Sequence, residues 1–328
     1  MVERILITGG AGFIGLALAR AALERGNLVT LLDNFARGRQ DAAFAELRGH
    51  VQVIDHDLTR PLPEHLPGGP YSAVYHLAAV VGVQQSNTAP QHVLRTNLLS
   101  TLHLLDWCER ARPAALFFSS TSEVADGAVR TGLAELPSGE DLPMVIDEPL
   151  RPRSGYAMSK MAGELLCIHT ARAYGIRVRV GRYHNIYGPR MGYDHVIPQL
   201  IVRALEQSDP FVLYGPQQYR SFCYIDDAVR ATLDLMELAE EQPLLVNIGN
   251  GQEMTQLADL AQAILTLANV APQIQPLPAP PGSPDKRRPD TTRLTALTGY
   301  QPQVPLAVGL QHTFAWYHHA WQTERQSR

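Results

Sequence analysis

The sequence predicts an α/β fold: a doubly wound parallel sheet, with a smaller α/β lobe toward the C-terminus that binds the substrate. Three observations predict it. Short apolar runs recur at Ile5–Thr8, Leu28–Leu32, Val51–Ile54, Ala73–Leu77 and Ala115–Ser119. Helical patterns separate several of them, the first being the Ala- and Leu-rich stretch from Phe13 to about Glu24. A glycine-rich turn joins the first run to that helix. Continuous rather than alternating apolar runs mark strands buried on both faces, which is the condition of a parallel sheet covered by helices.

The elements follow in order. Gly26-Asn27 stops the first helix, and the second run ends at Asp33. The third run ends in Asp55-His56-Asp57. Two long helices are expected at about Pro90–Arg110 and Gly155–Tyr174, placed to cover the sheet or to pair across a two-fold axis as a four-helix bundle. Asp126–Arg153 holds Pro137-Ser138-Gly139, Pro143 and Pro149 with little periodicity, and reads as a loop near the active face. Beyond Gly188 the pattern loosens. Helices are expected at Val196–Glu206, Asp226–Ala239 and Gln256–Ala268, extended segments at Phe211–Leu213 and Leu244–Ile248, and an extended Pro-rich stretch over Pro272–Pro289. The expected division is residues 1–180 as the dinucleotide domain, with 226–250 returning to it, and 181–225 with 251–328 as the substrate lobe.

A chain of 328 residues with 45% hydrophobic content can bury one large core or two lobes sharing an interface. The net charge of −4 gives no reason to expect nucleic acid or an anionic membrane as partner. No apolar run approaches a membrane span and no signal-peptide pattern opens the chain, so a cytoplasmic location is expected. Cys108, Cys167 and Cys223 are too few and too scattered for a disulfide framework or a metal site, and are expected as buried thiols. No metal is expected.

Gly9, Gly12 and Gly15 stand in the GGAGFIG turn after the first strand, where the backbone must turn tightly and approach a pyrophosphate at a helix N-terminus. Strand, turn and helix together point to a Rossmann dinucleotide site, with Phe13 and Ile14 in its first helical turn. Asp33, 18 residues after Gly15, suits the two ribose hydroxyls and repels a 2′-phosphate, favouring NAD over NADP; Arg37 and Arg39 pull the other way. Asn34 beside it, Asp57 and Leu58 after the third strand, Leu77-Ala78-Ala79 after the fourth, and Asn97 complete the expected cofactor contacts. His76 is expected to be structural.

Tyr156 and Lys160 form a YxxxK pair that shares one helix face. An ammonium beside a phenol lowers its pKa, and the tyrosinate then takes a hydroxyl proton while hydride leaves the same carbon. Ser119-Ser120-Thr121-Ser122-Glu123 follows the fifth strand, at the edge where such sheets place active residues.

These motifs occur in order with Asn185-Ile186-Tyr187-Gly188-Pro189-Arg190 and Arg220-Ser221-Phe222. Nearly the whole chain resembles the extended short-chain dehydrogenase/reductases, specifically the nucleotide-sugar epimerases, dehydratases and decarboxylases. The resemblance implies Thr121, Tyr156 and Lys160 as the catalytic triad. It implies Thr121, Ser122 and Asn185 near the substrate, and Arg220 and Arg288 as clamps on the two phosphates; Arg287 sits beside Arg288 and either suits. It also implies a nucleotide-diphosphate sugar, a UDP-sugar first, and a homodimer. Val124-Ala125-Asp126-Gly127 departs from the family's usual Val-Tyr-Gly, putting that loop's contact in doubt.

The reaction is less legible. A 4-epimerase needs no second acid or base, whereas a 4,6-dehydratase or a glucuronate-type decarboxylase gives Glu123 a catalytic role. Thr121-Ser122-Glu123 resembles decarboxylases and GDP-mannose dehydratases, while Gly192–Pro198 lacks the decarboxylases' usual stretch. An NAD-dependent epimerase acting by transient oxidation at C4 is the first expectation, decarboxylase second, dehydratase third. A net reductase and a non-catalytic NAD-sensing regulator stand as other classes; the intact Tyr156 and Lys160 argue against the regulator.

Overall fold

The computed structural model describes residues 2–280 and 282–326. The first half runs β1 (Arg4–Thr8), α1 (Phe13–Glu24), β2 (Leu28–Asp33), α2 (Ala42–Arg48), β3 (Gln52–Asp55), β4 (Ala73–His76), α3 (Val83–Thr88), α4 (Pro90–Ala111), β5 (Ala115–Thr121), α5 (Glu123–Arg130), α6 (Ser154–Tyr174) and β6 (Arg177–Tyr183). The second half runs β7 (Ile186–Tyr187), α7 (Val196–Leu205), β8 (Phe211–Tyr214), β9 (Tyr219–Arg220), β10 (Cys223–Tyr224), α8 (Ile225–Glu237), β11 (Leu244–Ile248), β12 (Thr255–Gln256), α9 (Leu257–Ala268), β13 (Ile274–Leu277), β14 (Lys286–Arg287), α10 (Thr292–Thr298) and α11 (Leu306–Gln326).

Seven strands form one parallel sheet in the order β11-β6-β5-β4-β1-β2-β3. This is the doubly wound Rossmann arrangement, and its winding reverses between β1 and β4. The crevice beyond the carboxyl ends of the strands at that reversal is where such sheets take ligands. β11 joins the sheet from far down the chain, beside β6. Three small sheets, β10-β7, β12-β9-β14 and β13-β8, build the second lobe with α7, α9, α10 and α11.

Strand periodicity sorts the core. Ile5, Ile7, Leu31, Tyr75 and Phe117 face α1, α8 and the second lobe. Leu6, Leu32, Val74, Leu116 and Phe118 face the opposite layer of Trp107, Cys108, Cys167 and Ala171 on α4 and α6. Successive side chains on a strand alternate between faces, so two buried faces require the unbroken apolar runs of the sequence. Each fully buried Leu, Ile or Phe stabilises the fold by about 1.5–3 kcal/mol. All three cysteines are buried free thiols.

Helix ends follow local chemistry. Pro90 starts α4 at a position whose N–H has no intrahelical partner. Gly175, in the left-handed region at φ 68°, ends α6. One element differs from the sequence reading: Glu123–Arg130 is a helix, not the beginning of a loop. Its Val124, Ala125 and Ala128 are buried, and Gly127 lets it lie against the Val145 carbonyl, where a Cβ would overlap. Asp126-Gly127 looks like a turn signal in sequence; tertiary packing overrides it. Among the described residues no helix is long and apolar enough to cross a membrane.

Candidate active site

The glycine turn is a cradle that side chains would fill. Gly9 has φ +68°, and a Cβ there would lie 2.8 Å from the Ala78 nitrogen; a Cβ at Gly15 would overlap the Gly9 carbonyl. The α1 cap residue, Gly12, has no side-chain cap bond, so the first-turn N–H groups and the positive helix end face the crevice. Asp33 closes β2; its carboxylate accepts from the amides of Ala11 (2.9 Å) and Phe35 (2.8 Å), and burial raises its pKa. The cradle, the free helix end and the terminal acid fit a dinucleotide with unphosphorylated ribose.

The other expected cofactor residues surround this turn, several holding backbone in place. Asn97 takes the Val80 amide at 2.7 Å and returns a bond to the Val80 carbonyl, fixing the loop after Leu77-Ala78-Ala79. Asn34 accepts from Ala36, and Asp57 from Thr59, which holds the Asp57 carboxyl below its ordinary pKa. Leu58 is buried, and its carbonyl meets the His103 ring. Phe13 approaches Gly188. His76 bridges Thr8 (2.8 Å) and Thr101 (3.2 Å), and burial drops its pKa to about 3, so it is a neutral structural residue.

Thr121 ends β5, and α6 presents Tyr156 beside it. Burial first, then the Glu123 charge, push the phenol pKa up; the neighbouring Thr121 side chain and the charges of Arg153 and Arg37 pull it down. Lys160 is 4% exposed, donates to the Ser119 carbonyl at 2.8 Å and lies over the Phe118 ring. Burial lowers its pKa to about 8.

Glu123 is held by Arg153 at 2.5 Å. One turn on, Asp126 pairs with Arg287, with Arg130 at 4.0 Å behind it; burial raises the Asp126 pKa against the pull of Arg287. Arg130 in turn forks onto Asp147 at 2.6 and 2.7 Å. Arg220 and Arg287 are register partners on β9 and β14. Arg220 bonds to Gln218, Ser283 and the carbonyls of Tyr219 and Asp285, with no carboxylate among these partners. Burial and the neighbouring Arg287 lower its pKa to about 10. Asn185, at φ 44°, gives its amide to the Ser221 carbonyl at 2.9 Å, and Ser122 is buried with its N–H on Tyr183.

Arg288, the expected second clamp, and Arg287 are placed differently. The Arg288 Nε donates to the Gly251 carbonyl, while Arg287 enters the cluster with Arg220 and Asp126. Arg287 is the last residue of β14 and Arg288 lies just past it, a strand end that one sequence does not mark.

Two features were not singled out in the sequence. Glu164 accepts from Ser120 (2.5 Å) and forks onto Arg182 (2.9 and 2.8 Å) beneath the active edge. Arg190 reaches from the second lobe to Asp41 (2.7 Å) and the carbonyls of Ala11 and Gly12.

Residues 5–249 match the model of the NAD dependent epimerase/dehydratase family. The chain belongs to this family. Its members are NAD-dependent enzymes, and NAD is the cofactor that the cradle fits. The chain is 35% identical to UDP-glucuronic acid decarboxylase 1 of Danio rerio, over 96% of this chain and 72% of that one. It is 34% identical to the UDP-N-acetyl-alpha-D-glucosaminuronate decarboxylase of Bacillus cytotoxicus, over 97% and 98%. Among solved structures it resembles the NAD complex of the Thermus thermophilus UDP-glucose 4-epimerase, with TM-score 0.79, 29% identity and coverage of 97% and 99%. It also resembles an NAD-dependent NDP-hexosamine 5,6-dehydratase of tunicamycin biosynthesis, with TM-score 0.83, 29% identity and 98% coverage of each.

Proposed function

We propose that this family member is a nucleotide-sugar 4-epimerase. It binds a nucleotide-diphosphate sugar, a UDP-sugar first, across the crevice between the sheet and the second lobe. The Gly9–Gly15 turn and Asp33 would hold NAD, which would supply a reversible hydride acceptor for sugar C4. Tyr156 takes and returns the C4 hydroxyl proton, with Thr121 orienting that hydroxyl. Arg220 supplies a buried cation for the diphosphate, which gives it the counter-charge its own partners lack. Arg287, tied to Asp126, lines the same side of the crevice beside it. Lys160 fixes the Ser119 end of β5 beneath the cofactor ribose. The wider family names fit a UDP-sugar: the epimerase above acts on UDP-glucose and both decarboxylases act on UDP-uronates.

The observation that carries the epimerase reading is the state of the two carboxylates. Glu123 and Asp126 are each tied to an arginine, while Thr121 and Tyr156 lie beside each other where β5 meets α6. An epimerase needs one proton-handling group and no more. The two decarboxylase relatives favour a second reading, in which a C4 ketone labilises the C6 carboxylate as carbon dioxide. Mass spectrometry over a panel of UDP-, GDP-, CDP- and dTDP-sugars separates them. An unchanged mass with a new chromatographic peak supports epimerisation, and loss of carbon dioxide supports the second reading. Loss of water makes the enzyme a dehydratase, and net NADH consumption makes it a reductase.

We extend the proposal to a homodimer. α4 and α6 pack side by side, and Leu102, Met158 and Leu165 on them are 40%, 47% and 49% exposed. A second copy of this helix pair would cover those side chains as a four-helix bundle. Light scattering that gives a monomer mass refutes it.

A further inference from the structure

Asp126 stands where the family's usual Val-Tyr-Gly leaves no charge. We infer that Asp126 sets the substrate class: by occupying Arg287 it makes the site select sugars with an uncharged C6 group and reject uronates. This deepens the nucleotide-sugar reading above and rests on it.

With C4 at Tyr156 and the diphosphate at Arg220, the sugar ring spans the space between them, walled by α5 and β14. The C6 substituent is two bonds from C4 and lies within reach of that wall. A uronate there needs a free guanidinium, because a carboxylate is desolvated safely only against a matched cation. The three arginines of that wall are taken: Arg153 holds Glu123, Arg287 holds Asp126 and Arg130 forks onto Asp147. A C6 carboxylate would meet Glu123 and Asp126 as like charges and would have to displace one of them. Specificity against an anion is often built from such an opposing charge.

The test is calorimetric binding to the NAD-loaded protein. The ligands are the best-binding of UDP, GDP, CDP and dTDP, and its glucose and glucuronate conjugates. The wild type is expected to bind the glucose conjugate at least about tenfold more tightly than the glucuronate, a difference of about 1.4 kcal/mol. Asp126→Asn keeps the shape and releases Arg287, and should shrink or invert that ratio by about tenfold while leaving the bare nucleotide unchanged. Asp126→Gly, matching the family's residue, should do the same. Equal or tighter glucuronate binding by the wild type overturns the inference without any variant. So does an unchanged ratio in a variant that still binds the nucleotide. If no nucleotide or conjugate binds the wild type, the nucleotide-sugar reading itself falls, and this inference with it.

Discussion

Removing Glu164 while leaving Arg182 should cost this protein a large part of its stability. Both side chains are sealed under the active edge, at 0% and 2% exposure, and they share two hydrogen bonds. Glu164→Leu leaves the guanidinium buried with the Glu140 carbonyl as its remaining bonded partner, and takes the acceptor from Ser120. Stranding one member of a buried ion pair costs about 3–5 kcal/mol. Unfolding entropy of about 2.1 cal/mol/K per residue near 60 °C means each kcal/mol moves Tm by roughly 1.5 °C in a chain of this length. Glu164→Leu is therefore expected to lower Tm by about 4–7 °C, measured by thermal unfolding of the apoprotein. The double variant Glu164→Leu with Arg182→Met should recover most of that loss, because it removes the stranded charge. A single variant that loses under about 1 kcal/mol, or a double variant that loses the sum of the two singles, refutes the reasoning. Glu164 also acts on Lys160, whose pKa it raises against the lowering by burial. Without it, Lys160 should deprotonate at lower pH.

Three further outcomes are expected. Tyr156→Phe should lower kcat by about 10²–10⁴-fold, the usual worth of a positioned acid–base group, while NAD remains bound by fluorescence titration; retained turnover refutes the assignment. Gly15→Ala should weaken NAD binding and cost about 1–3 kcal/mol, since the methyl overlaps the Gly9 carbonyl; a variant binding NAD as tightly as wild type would count against the cradle. His76 and His184 are buried with pKa values near 3, while the unfolded chain keeps them near 6.5. Between these values the unfolded state binds more protons, so stability falls as pH drops from about 6.5 toward 3. His76→Asn should flatten that fall in an acid titration followed by circular dichroism, and an unchanged slope would refute it.

The sheet was legible because its physics is local in sequence. Unbroken apolar runs announce strands buried on both faces, and the glycine turn is visible because no other residue tolerates that approach. What was illegible depends on partners far along the chain. Glu164 and Arg182 look like ordinary charged residues until β6 comes to lie beside β5 and α6. Arg287 and Arg288 are told apart only by the fold: Arg287 pairs with Arg220 across β14 and β9, and Arg288 lies just past the strand. α5 was hidden because Asp126 and Gly127 carry turn propensity, whereas the helix is held by packing against Val145. α10 and α11 were passed over, since the weak patterning beyond Pro289 gave no element a clear period. The Tyr156–Lys160 spacing gave the helix face, but not that Lys160 donates to the Ser119 carbonyl.

The reach of Arg190 has a thermodynamic corollary. Its guanidinium starts in the second lobe and ends on the carbonyls of the glycine turn, so the two lobes do not loosen independently. A ligand that steadies the lobe also steadies the cradle. Linkage then runs in both directions: whatever factor cofactor occupancy adds to substrate affinity, substrate adds to cofactor affinity. The proposed return of the same hydride is served by this reciprocity, because it holds the cofactor most firmly while substrate is bound.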